Sequence, residues 1–478
     1  MDLNDRRCYE ALKARDARFD GRFFVGVSTT GIYCRPVCPA RIPGRDRCSF
    51  YANAASAERA GYRPCLRCRP ELAPGYANVD AVHTAARWAA ARIESGALND
   101  GSFEQLAARY GVSSRHLRRV IETELGVTPI ELAQTRRLLL SKQLLTDSTL
   151  GMTEVALASG FSSVRRFNHL FKTRYGLNPT SLRRQGKTAS DSNAITVKLE
   201  YRPPLDWPRL LRFLVSRGAV GVECARGLRY VRTVRLGERR GWFSAEPIAG
   251  RHALRLEISA GLVPVLPLLL SRVRHVFDLD ANPRIIEAHL KRDALLKALV
   301  RRQPGLRVPG AFDGFELALR AVLGQQVTVK AASTVFGRIV AAFGEAAIAP
   351  EAGLKLFAPT ASEIAAADLR TLMKLGLTAQ RAATVLHLAR AVASGDLELT
   401  PHSDIDHTMK QLRAIPGIGA WTAHYIAMRA LGYTDAFPHA DLGLMKAVGL
   451  RREKEMLARA EIWRPWRAYA AHHLWASL

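Results

Sequence analysis

The spacing of apolar and polar residues divides the chain into segments with different periodicity. Residues 79–184 follow a helical spacing throughout. Residues 195–201, 228–234, 242–245 and 253–258 alternate or run apolar as strands do, whereas residues 206–217 and 265–276 have a helical pattern. From residue 282 to the end nearly every segment is helical. The pattern predicts an α+β region at 195–281, with helical regions before and after it.

The first helical region repeats itself after 50 residues. The equivalent pairs are Leu117 and Phe167, Val120 and Leu170, Gly126 and Gly176, and Pro129 and Pro179. Each copy has a small-residue helix, a glycine turn (Gly111 or Gly160) and a second helix over residues 113–123 or 163–173. A long helix around residues 130–145 joins the copies. This is the helix-turn-helix layout, in which the second helix of each copy enters the major groove of DNA.

Two such copies in tandem resemble the AraC-type DNA-binding domain of transcriptional activators. The predicted groove contacts are Arg115, Arg118, Arg165, Arg166 and Asn168. Each of these residues could equally belong to a solvated basic face.

The length of the chain indicates how many domains it forms, and its charge indicates the class of partner. A chain of 478 residues and 52.7 kDa is too long for one core and is expected to form three or four domains. The formal net charge of +27 favours a polyanionic partner such as nucleic acid, although a membrane surface or an arginine-rich proteome would also produce it. No run of 18 apolar residues and no apolar signal segment is present, so we expect a cytoplasmic protein that does not enter membranes.

The cysteines are concentrated in the first 75 residues, which hold six of the seven. Cys34 and Cys38 form a C-x3-C pair, and Cys65 and Cys68 form a C-x2-C pair. Four thiolates suit one tetrahedral zinc ion, whereas disulfides fit poorly in a reducing compartment. Cys8 and Cys48 are expected to be ordinary thiols.

The residues around these pairs read Thr-Thr-Gly-Ile-Tyr-Cys-Arg-Pro-Val-Cys at 29–38 and Gly-Tyr-Arg-Pro-Cys at 61–65. They resemble the N-terminal zinc domain of adaptive-response (Ada) proteins, which takes a methyl group from methylphosphotriesters in DNA. The resemblance implies that Cys34 is the acceptor, that Cys34, Cys38, Cys65 and Cys68 bind the metal, and that Arg35 or Arg67 holds the phosphotriester. The alternative is a zinc site that only stabilises a small domain.

A tight glycine turn lies between two helical segments near the C-terminus. Residues 415–419 read Ile-Pro-Gly-Ile-Gly, between the apolar-periodic segments 409–414 and 421–431. Backbone N–H groups of Gly417 and Gly419 at such a turn can bind a phosphate without reading sequence. A plain αα-hairpin is the alternative. A carboxylate, Asp441, follows in the run Phe-Pro-His-Ala-Asp.

The turn and the following aspartate resemble the helix-hairpin-helix superfamily of DNA glycosylases, and Trp421, Tyr425 and Trp475 match the pocket aromatic residues of 3-methyladenine DNA glycosylase II. Trp421 occupies the position of the lysine in bifunctional members, and the last cysteine is Cys224, so neither a Schiff base nor an iron-sulfur cluster is expected. Gln325 and Gln326 resemble the wedge loop that fills the gap left by an extruded base, although a leucine stands at the position of Gln326 in AlkA-type enzymes. Asp441 is the implied catalytic carboxylate.

The resemblances together imply a fusion that repairs alkylated DNA. They imply a monofunctional glycosylase that needs no cofactor, a zinc methyl acceptor and a transcription regulator that binds damaged and promoter double-stranded DNA, with RNA polymerase as a candidate partner and a monomer as the expected state. The alternatives are an activator with a degenerate glycosylase half, and an enzyme whose AraC-like part only tethers it to DNA. The Pro-Cys-His-Arg motif of O6-methylguanine transferases is absent.

The predicted fold class is multidomain. The expected parts are a small zinc α+β module (1–76), an all-α tandem helix-turn-helix domain (79–184), a polar linker (185–194), an antiparallel α+β domain (195–281) and an all-α helix-hairpin-helix glycosylase domain (282–478).

Overall fold

A computed structural model describes residues 4–75, 85–183, 194–401 and 403–478. The predicted linker, apart from Ala194, lies outside the described residues. The chain divides into two compact units, one of Met1–Arg202 with Ile248–Ser271 and the other of Pro203–Pro247 with Arg272–Leu478. Within the described residues, no helix is long and apolar enough to cross a membrane.

The cysteine-rich segment forms a small α+β module. Its elements are α1 (Asp5–Lys13), β1 (Phe24–Val27), β2 (Ile32–Cys34), β3 (Cys48–Tyr51), α2 (Ala54–Arg59) and β4 (Arg63–Pro64). The strands form a sheet in the order β3-β1-β2-β4, antiparallel except for the parallel pair β2 and β4. Cys8 and Cys48 are buried in its core beside Phe23, as expected for ordinary thiols. Burial raises the pKa of the Cys8 thiol to about 11.

The next segment is all-helical and confirms the predicted class of fold. Its helices are α3 (Ala85–Glu94), α4 (Ala97–Asp100), α5 (Phe103–Arg109), α6 (Ser114–Leu125), α7 (Pro129–Asp147), α8 (Met152–Ala158), α9 (Val164–Tyr175) and α10 (Pro179–Leu182). The 50-residue repeat has a physical reason. Gly126 and Gly176 end α6 and α9 at φ of +70° and +64°, a backbone conformation that favours glycine, and a proline then begins the next helix.

The strands predicted after residue 194 are present. This segment contains β5 (Ala194–Glu200), α11 (Trp207–Ser216), β6 (Glu223–Arg226), β7 (Arg229–Leu236), β8 (Arg239–Pro247), β9 (Ala253–Ser259) and α12 (Leu266–Val276). In the first unit β5 pairs antiparallel with β9, from Ala194 opposite Ser259 to Glu200 opposite Ala253. In the second unit β6, β7 and β8 form an antiparallel meander. The sequence did not predict β6, because its charged and small residues show no apolar alternation.

The remainder is helical, as its periodicity predicts. The helices are α13 (Pro283–Leu290), α14 (Ala294–Arg302), α15 (Gly314–Leu323), α16 (Val329–Phe343), α17 (Ala361–Ala365), α18 (Leu369–Lys374), α19 (Ala379–Ala393), α20 (Ile405–Ala414), α21 (Ala420–Arg429), α22 (Leu442–Val448), α23 (Glu453–Ala460) and α24 (Arg467–Trp475). The glycine turn joins α20 to α21, so the helical hairpin predicted from residues 409–431 is confirmed.

A buried carboxyl group joins three parts of the first unit. Glu58 on α2 is 4% exposed and accepts hydrogen bonds from the hydroxyls of Tyr33 (3.1 Å), Thr135 (2.8 Å) and Tyr175 (3.1 Å). These residues lie on β2, α7 and α9. Burial raises the pKa of Glu58 to about 7, against the three hydrogen bonds, which lower it. The residue next to Cys34 is therefore connected through one carboxyl group to the second helix-turn-helix.

We predict that Glu58→Gln makes the first unit less sensitive to pH. Between about pH 4.5 and 7 the folded state holds a proton that the unfolded state has released, so the free energy of unfolding falls as pH rises through this window. The expected loss is about 3 kcal/mol. Glutamine mimics the protonated form and removes this loss. Urea unfolding of the full chain at pH 5 and pH 7.5 measures the difference, with Glu122→Gln, on the exposed face of α6, as control. Parallel pH profiles of the wild type and Glu58→Gln would contradict the assignment.

Candidate functional site

The parallel pairing of β2 with β4 brings the two cysteine pairs together. Ile32 lies opposite Arg63 and Tyr33 opposite Pro64, and the N–H of Cys65 donates to the carbonyl of Tyr33 at 3.0 Å. Cys34 and Cys65 therefore follow adjacent strand residues. The Sγ atoms of Cys34, Cys38, Cys65 and Cys68 all lie within 4.8 Å of one another.

This donor set fits zinc. Tetrahedral zinc with bonds of about 2.3 Å places its sulfur ligands about 3.8 Å apart, which the observed cluster can satisfy with small shifts. Four soft thiolates favour zinc over the hard cations. The four cysteines form a site for one zinc ion.

The four thiols differ in exposure and in hydrogen bonding. Cys38, Cys65 and Cys68 are between 5% and 8% exposed, whereas Cys34 is only half-buried. The Sγ of Cys65 accepts from the N–H groups of Arg67 (3.4 Å) and Cys68 (3.5 Å), and the Sγ of Cys68 accepts from the N–H of Arg35 (3.4 Å). Among the described residues, no N–H donates to the Sγ of Cys34. Cys34 is therefore the most accessible of the four thiols, and its sulfur lacks the N–H donors that Cys65 and Cys68 have.

The two arginines predicted to hold a phosphotriester have different environments. Arg67 is exposed beside the cluster, where it can reach a ligand. Arg35 is 5% exposed, and its guanidinium forms ion pairs with Asp20 and with Glu200 on β5, the latter at 2.7 Å. It also donates to the carbonyl of Cys68 at 3.1 Å. Arg35 thus supports the cysteine loop from inside, and the expectation that it faces DNA is corrected.

The residues predicted to contact the major groove are exposed on the second helix of each repeat. Arg115 and Arg118 lie on α6, and Arg165, Arg166 and Asn168 lie on α9. Ser113 and Ser163 cap these helices by accepting from the N–H groups of His116 and Arg166. Their exposure is compatible with DNA contact and with a solvated basic face, so their roles stay predictions.

The two glycines of the hairpin turn differ in whether the surrounding structure requires them. Gly417 has φ of +91°, and a Cβ there would lie 2.1 Å from Oγ1 of Thr384, so the fold itself requires glycine. A Cβ on Gly419 would meet nothing within 4 Å. Both residues are exposed, and neither N–H donates to an acceptor in the described part of the chain. The turn leaves room and unpaired donors for an external anion.

The predicted wedge loop is attached to this turn. The side-chain amide of Gln325 donates to the carbonyl of Gly417 and to Oγ1 of Thr422, both at 2.9 Å. The amide nitrogen of Gln325 therefore points toward the hairpin turn, while the residue is only half-buried, and its contact with DNA stays a prediction. Gln326 is exposed with φ of +54°, an uncommon conformation for a residue with a side chain. The tip of the loop thus projects from a fixed base.

Asp441 is held by three N–H donors. Its Oδ2 accepts from the indole Nε1 of Trp421 at 2.9 Å. Its Oδ1 accepts from the indole Nε1 of Trp475 at 3.0 Å and from the N–H of Leu444 at 2.9 Å, since Asp441 is also the N-cap of α22. These three donors orient the carboxylate.

The aromatic rings beside this carboxylate form a continuous series. Trp421 stacks on Tyr425 with centroids 5.3 Å apart and planes 5° apart, and Tyr425 meets Trp475 edge-on at 6.3 Å. His472 lies 5.1 Å from Trp475, and Phe213 lies 5.3 Å from His472. We call these five residues the aromatic arc. Phe213 and His472 were not found from sequence, because neither lies in a recognisable motif.

Two arginines, Arg429 and Arg217, lie beside Tyr425 of the arc. Burial acts to raise the pKa of the Tyr425 phenol, but the charges of Arg429 and Arg217 outweigh it and lower that pKa. Nη1 of Arg429 donates to the Tyr425 hydroxyl at 2.9 Å, and its other nitrogens donate to the carbonyls of Pro309 and Gly310. The wall of the site is therefore fixed by a buried cation.

Helix α24, which carries Trp475 and His472, is anchored by a buried ion pair at its beginning. Arg467 donates to the carboxylate of Asp435 at 2.7 and 3.0 Å. The hydroxyl of Tyr469 donates to Asp278 at 2.7 Å. His439 is near Asp441 in sequence, but its Nε2 lies 3.7 Å from the carboxylate of Glu453. In the described part of the chain it forms no hydrogen bond with the Asp441 carboxylate.

Family comparisons agree with this arrangement. The matching family models are the metal-binding domain of Ada at residues 7–71, a helix-turn-helix domain at 106–185, the AlkA N-terminal domain at 196–313 and the HhH-GPD superfamily of base excision DNA repair proteins at 319–468.

Individual relatives cover different shares of this chain. A bifunctional transcriptional activator/DNA repair enzyme AlkA of Mycobacterium tuberculosis is 36% identical over 99% of this chain and 96% of its own. DNA-3-methyladenine glycosylase 2 of Escherichia coli is 38% identical over 58% of this chain and 95% of its own. The solved structure of a 3-methyladenine DNA glycosylase from Archaeoglobus fulgidus matches with a TM-score of 0.51 at 21% identity, covering 58% of this chain and 96% of that one, which shows a shared fold.

One relative is 36% identical over nearly the full length of both chains, and four consecutive family models match in the same order as the predicted parts. The chain therefore belongs to the family of bifunctional transcriptional activator/DNA repair enzymes of the AlkA type.

Proposed function

We propose that this protein hydrolyses the N-glycosidic bond of alkylated bases such as 3-methyladenine in DNA. The observation that carries the proposal is Asp441, oriented by two indole N–H groups at one end of the aromatic arc. Trp421 at the position of the superfamily's lysine leaves no amine for a Schiff base, so the enzyme is monofunctional and does not cut the backbone.

The reaction follows from the charges at this site. The hairpin turn binds a backbone phosphate and the wedge loop fills the gap while the damaged nucleotide rotates out of the duplex, at a cost of a few kcal/mol. A base methylated at N3 or N7 is a cation and can lie against Trp421, Tyr425 or Trp475 through cation-π contact, worth about 0.5 to 2 kcal/mol. Such a base leaves without a general acid. Asp441 then stabilises the positive charge on the sugar or orients the attacking water.

The cysteine module is proposed to accept a methyl group on Cys34. Zinc, when bound, keeps the thiolates deprotonated at neutral pH. The Sγ of Cys34 forms a bond to the methyl carbon of a methylphosphotriester while the carbon–oxygen bond breaks, and the electron pair stays on the phosphodiester oxygen. Exposure of Cys34 and the absence of N–H donors to its sulfur, among the described residues, support this choice of nucleophile. Arg67 is positioned to hold the phosphate.

The helix-turn-helix repeats give the methyl acceptor a route to gene regulation. We propose that the chain binds damaged and promoter double-stranded DNA in the cytosol, contacts RNA polymerase there, and acts as a monomer. The rival hypothesis is an activator whose glycosylase half only binds DNA. The oriented Asp441 argues against it, because binding alone does not require a fixed carboxylate.

Asp441→Asn is predicted to slow release of 3-methyladenine from methylated DNA by at least about 100-fold, while DNA affinity changes little, because the charge is required chiefly in the transition state. Single-turnover release of methylated bases and a binding titration on the same DNA measure the two effects. Normal excision by this variant would show that the carboxylate is misassigned.

Trp475→Phe should slow the same reaction by about tenfold, because it keeps a ring in the arc but removes one charge-assisted hydrogen bond to Asp441. Trp242→Phe, which changes a tryptophan on β8, is the matched control. Equal effects of the two substitutions on the excision rate would indicate that the indole N–H of Trp475 has no role in orienting the carboxylate.

Methylation of Cys34 is predicted to strengthen DNA binding. Four thiolates around zinc carry a net charge of about −2, and a thioether in place of one leaves about −1. At an effective dielectric constant near 20, one charge about 6 to 8 Å from a phosphate is worth roughly 2 kcal/mol before salt screening, or about ten- to thirtyfold in affinity. Titration of double-stranded DNA by the full chain, before and after exposure to methylphosphotriester DNA, measures the gain.

Mass spectrometry should locate the added methyl group on Cys34, and Cys224→Ser is a control that keeps the zinc ligands. The gain should shrink as salt is raised. Equal affinities of the two forms, or a gain that grows with salt, would exclude an electrostatic switch.

A further inference from the structure

A pocket of about 310 Å³ lies in the first unit, where the two helix-turn-helix repeats meet. Its walls come from α4, from the first half of α7, and from the glycine turn of the second repeat together with Arg166 on α9. Helix α4 precedes the first repeat and α7 joins the two repeats, so the pocket depends on how the repeats pack together. Its volume is within the size range of small-ligand sites.

The polar wall of this pocket is fixed by the packing of Asn99. Gly160 in the turn of the second repeat has φ of +88°, and a Cβ there would overlap the side chain of Asn99. Oδ1 of Asn99 accepts from Nε of Arg137 at 3.0 Å, and the carbonyl of Leu98 accepts from Nη2 of the same guanidinium. Helix α4 therefore holds Arg137 of α7 in place and contacts the turn that leads into α9.

Two guanidinium groups in this pocket keep free N–H donors. Nη1 of Arg137 has no partner in the described part of the chain. The exposed side chain of Arg166 forms no hydrogen bond or ion pair with any described residue. Burial lowers the pKa of Arg137, the charge of Arg166 acts in the same direction, and the charge of Asp100 opposes both. The two cations thus repel each other, and an anion bound to both would remove that repulsion.

The other residues of the pocket suit an anion. None of the described residues that line it is acidic. The amide of Gln134 and the hydroxyl of Ser162 add neutral groups that can donate hydrogen bonds. Guanidinium groups match the oxygens of phosphate with paired N–H donors. Two cations and two neutral donors around one small space therefore favour a phosphate group as the ligand.

We propose that this pocket binds a phosphate group between Nη1 of Arg137 and the guanidinium of Arg166. The ligand would link α7 to α9 and so hold the second recognition helix against the helix that joins the repeats. A backbone phosphate of bound DNA is one source, because Arg166 lies beside Arg165 and Asn168 on α9. A phosphate ion or a phosphorylated small molecule is the other. The first source rests on the proposed DNA binding, whereas the second does not.

The test uses the full-length protein in two titrations. Inorganic phosphate is titrated without DNA at constant ionic strength and followed by calorimetry. Double-stranded DNA is titrated in phosphate-free buffer at several concentrations of potassium chloride. The variants are Arg166→Met, whose side chain holds no described residue in place, Arg137→Met, and the two combined. Arg239→Met, which changes an exposed arginine on β8, is the matched control.

The two sources predict different results. If the pocket takes free phosphate, each single variant weakens phosphate binding by about tenfold or more, and the salt dependence of DNA binding stays as in the wild type. If it takes a backbone phosphate, each single variant lowers the slope of log affinity against log salt by about 0.9, the value for one phosphate contact. The combined variant should lose the same single contact, because both arginines hold one phosphate.

Three further outcomes are decisive. Single variants that match Arg239→Met in both titrations would overturn the site. A combined variant whose loss equals the sum of the single losses would also overturn it, since independent contacts add. A wild type that binds no double-stranded DNA would remove the proposed DNA binding, and the phosphate titration would then decide the site by itself.

Discussion

The second unit depends on holding one carboxylate in place among aromatic rings. A charge in apolar surroundings is costly unless hydrogen bonds compensate it, and Asp441 receives three, from two indoles and a helix N-terminus. Each donor imposes a requirement elsewhere. Trp421 must lie close to the hairpin turn in the chain. Trp475 must lie on α24, whose first residue is held by the ion pair of Arg467 with Asp435. The rings that donate to the carboxylate also form the surface on which a base can stack.

Much of the architecture was predictable because its causes are local. The tandem repeat is visible in sequence since Gly126 and Gly176 each end a helix at positive φ, and proline begins the helix that follows. The hairpin is visible because only glycine fits beside Thr384 at position 417. Strand β6 was not predicted, because it forms by pairing with β7 and its own residues carry no strand pattern. Local steric rules identify turns and caps, whereas pairing partners depend on the rest of the chain.

The sites were predictable to the extent that their residues lie in short motifs. The four cysteines and Asp441 belong to such runs. Phe213 and Arg217 come from a helix some 200 residues before the hairpin, and no spacing connects them to it. Arg35 shows the opposite error, because adjacency to Cys34 suggested contact with DNA and burial beside Asp20 gives it an internal role. The amide of Gln325 turns toward the hairpin. Side-chain direction, which sequence does not reveal, decided each of these cases.

The ion pair of Arg35 with Glu200 has a consequence for dissecting the protein. Glu200 lies on β5, within the stretch matched by the AlkA N-terminal domain, yet its carboxylate neutralises a guanidinium that supports the loop of Cys68. A fragment that stops at the end of α10 would keep every metal ligand and both DNA-reading helices but lose one of the two counter-charges of a buried cation. Leaving a buried charge incompletely paired is strongly destabilising. We therefore expect a fragment that ends after α10 to hold its four cysteines less firmly. Metal affinities measured on such a fragment would underestimate the affinity of the intact chain.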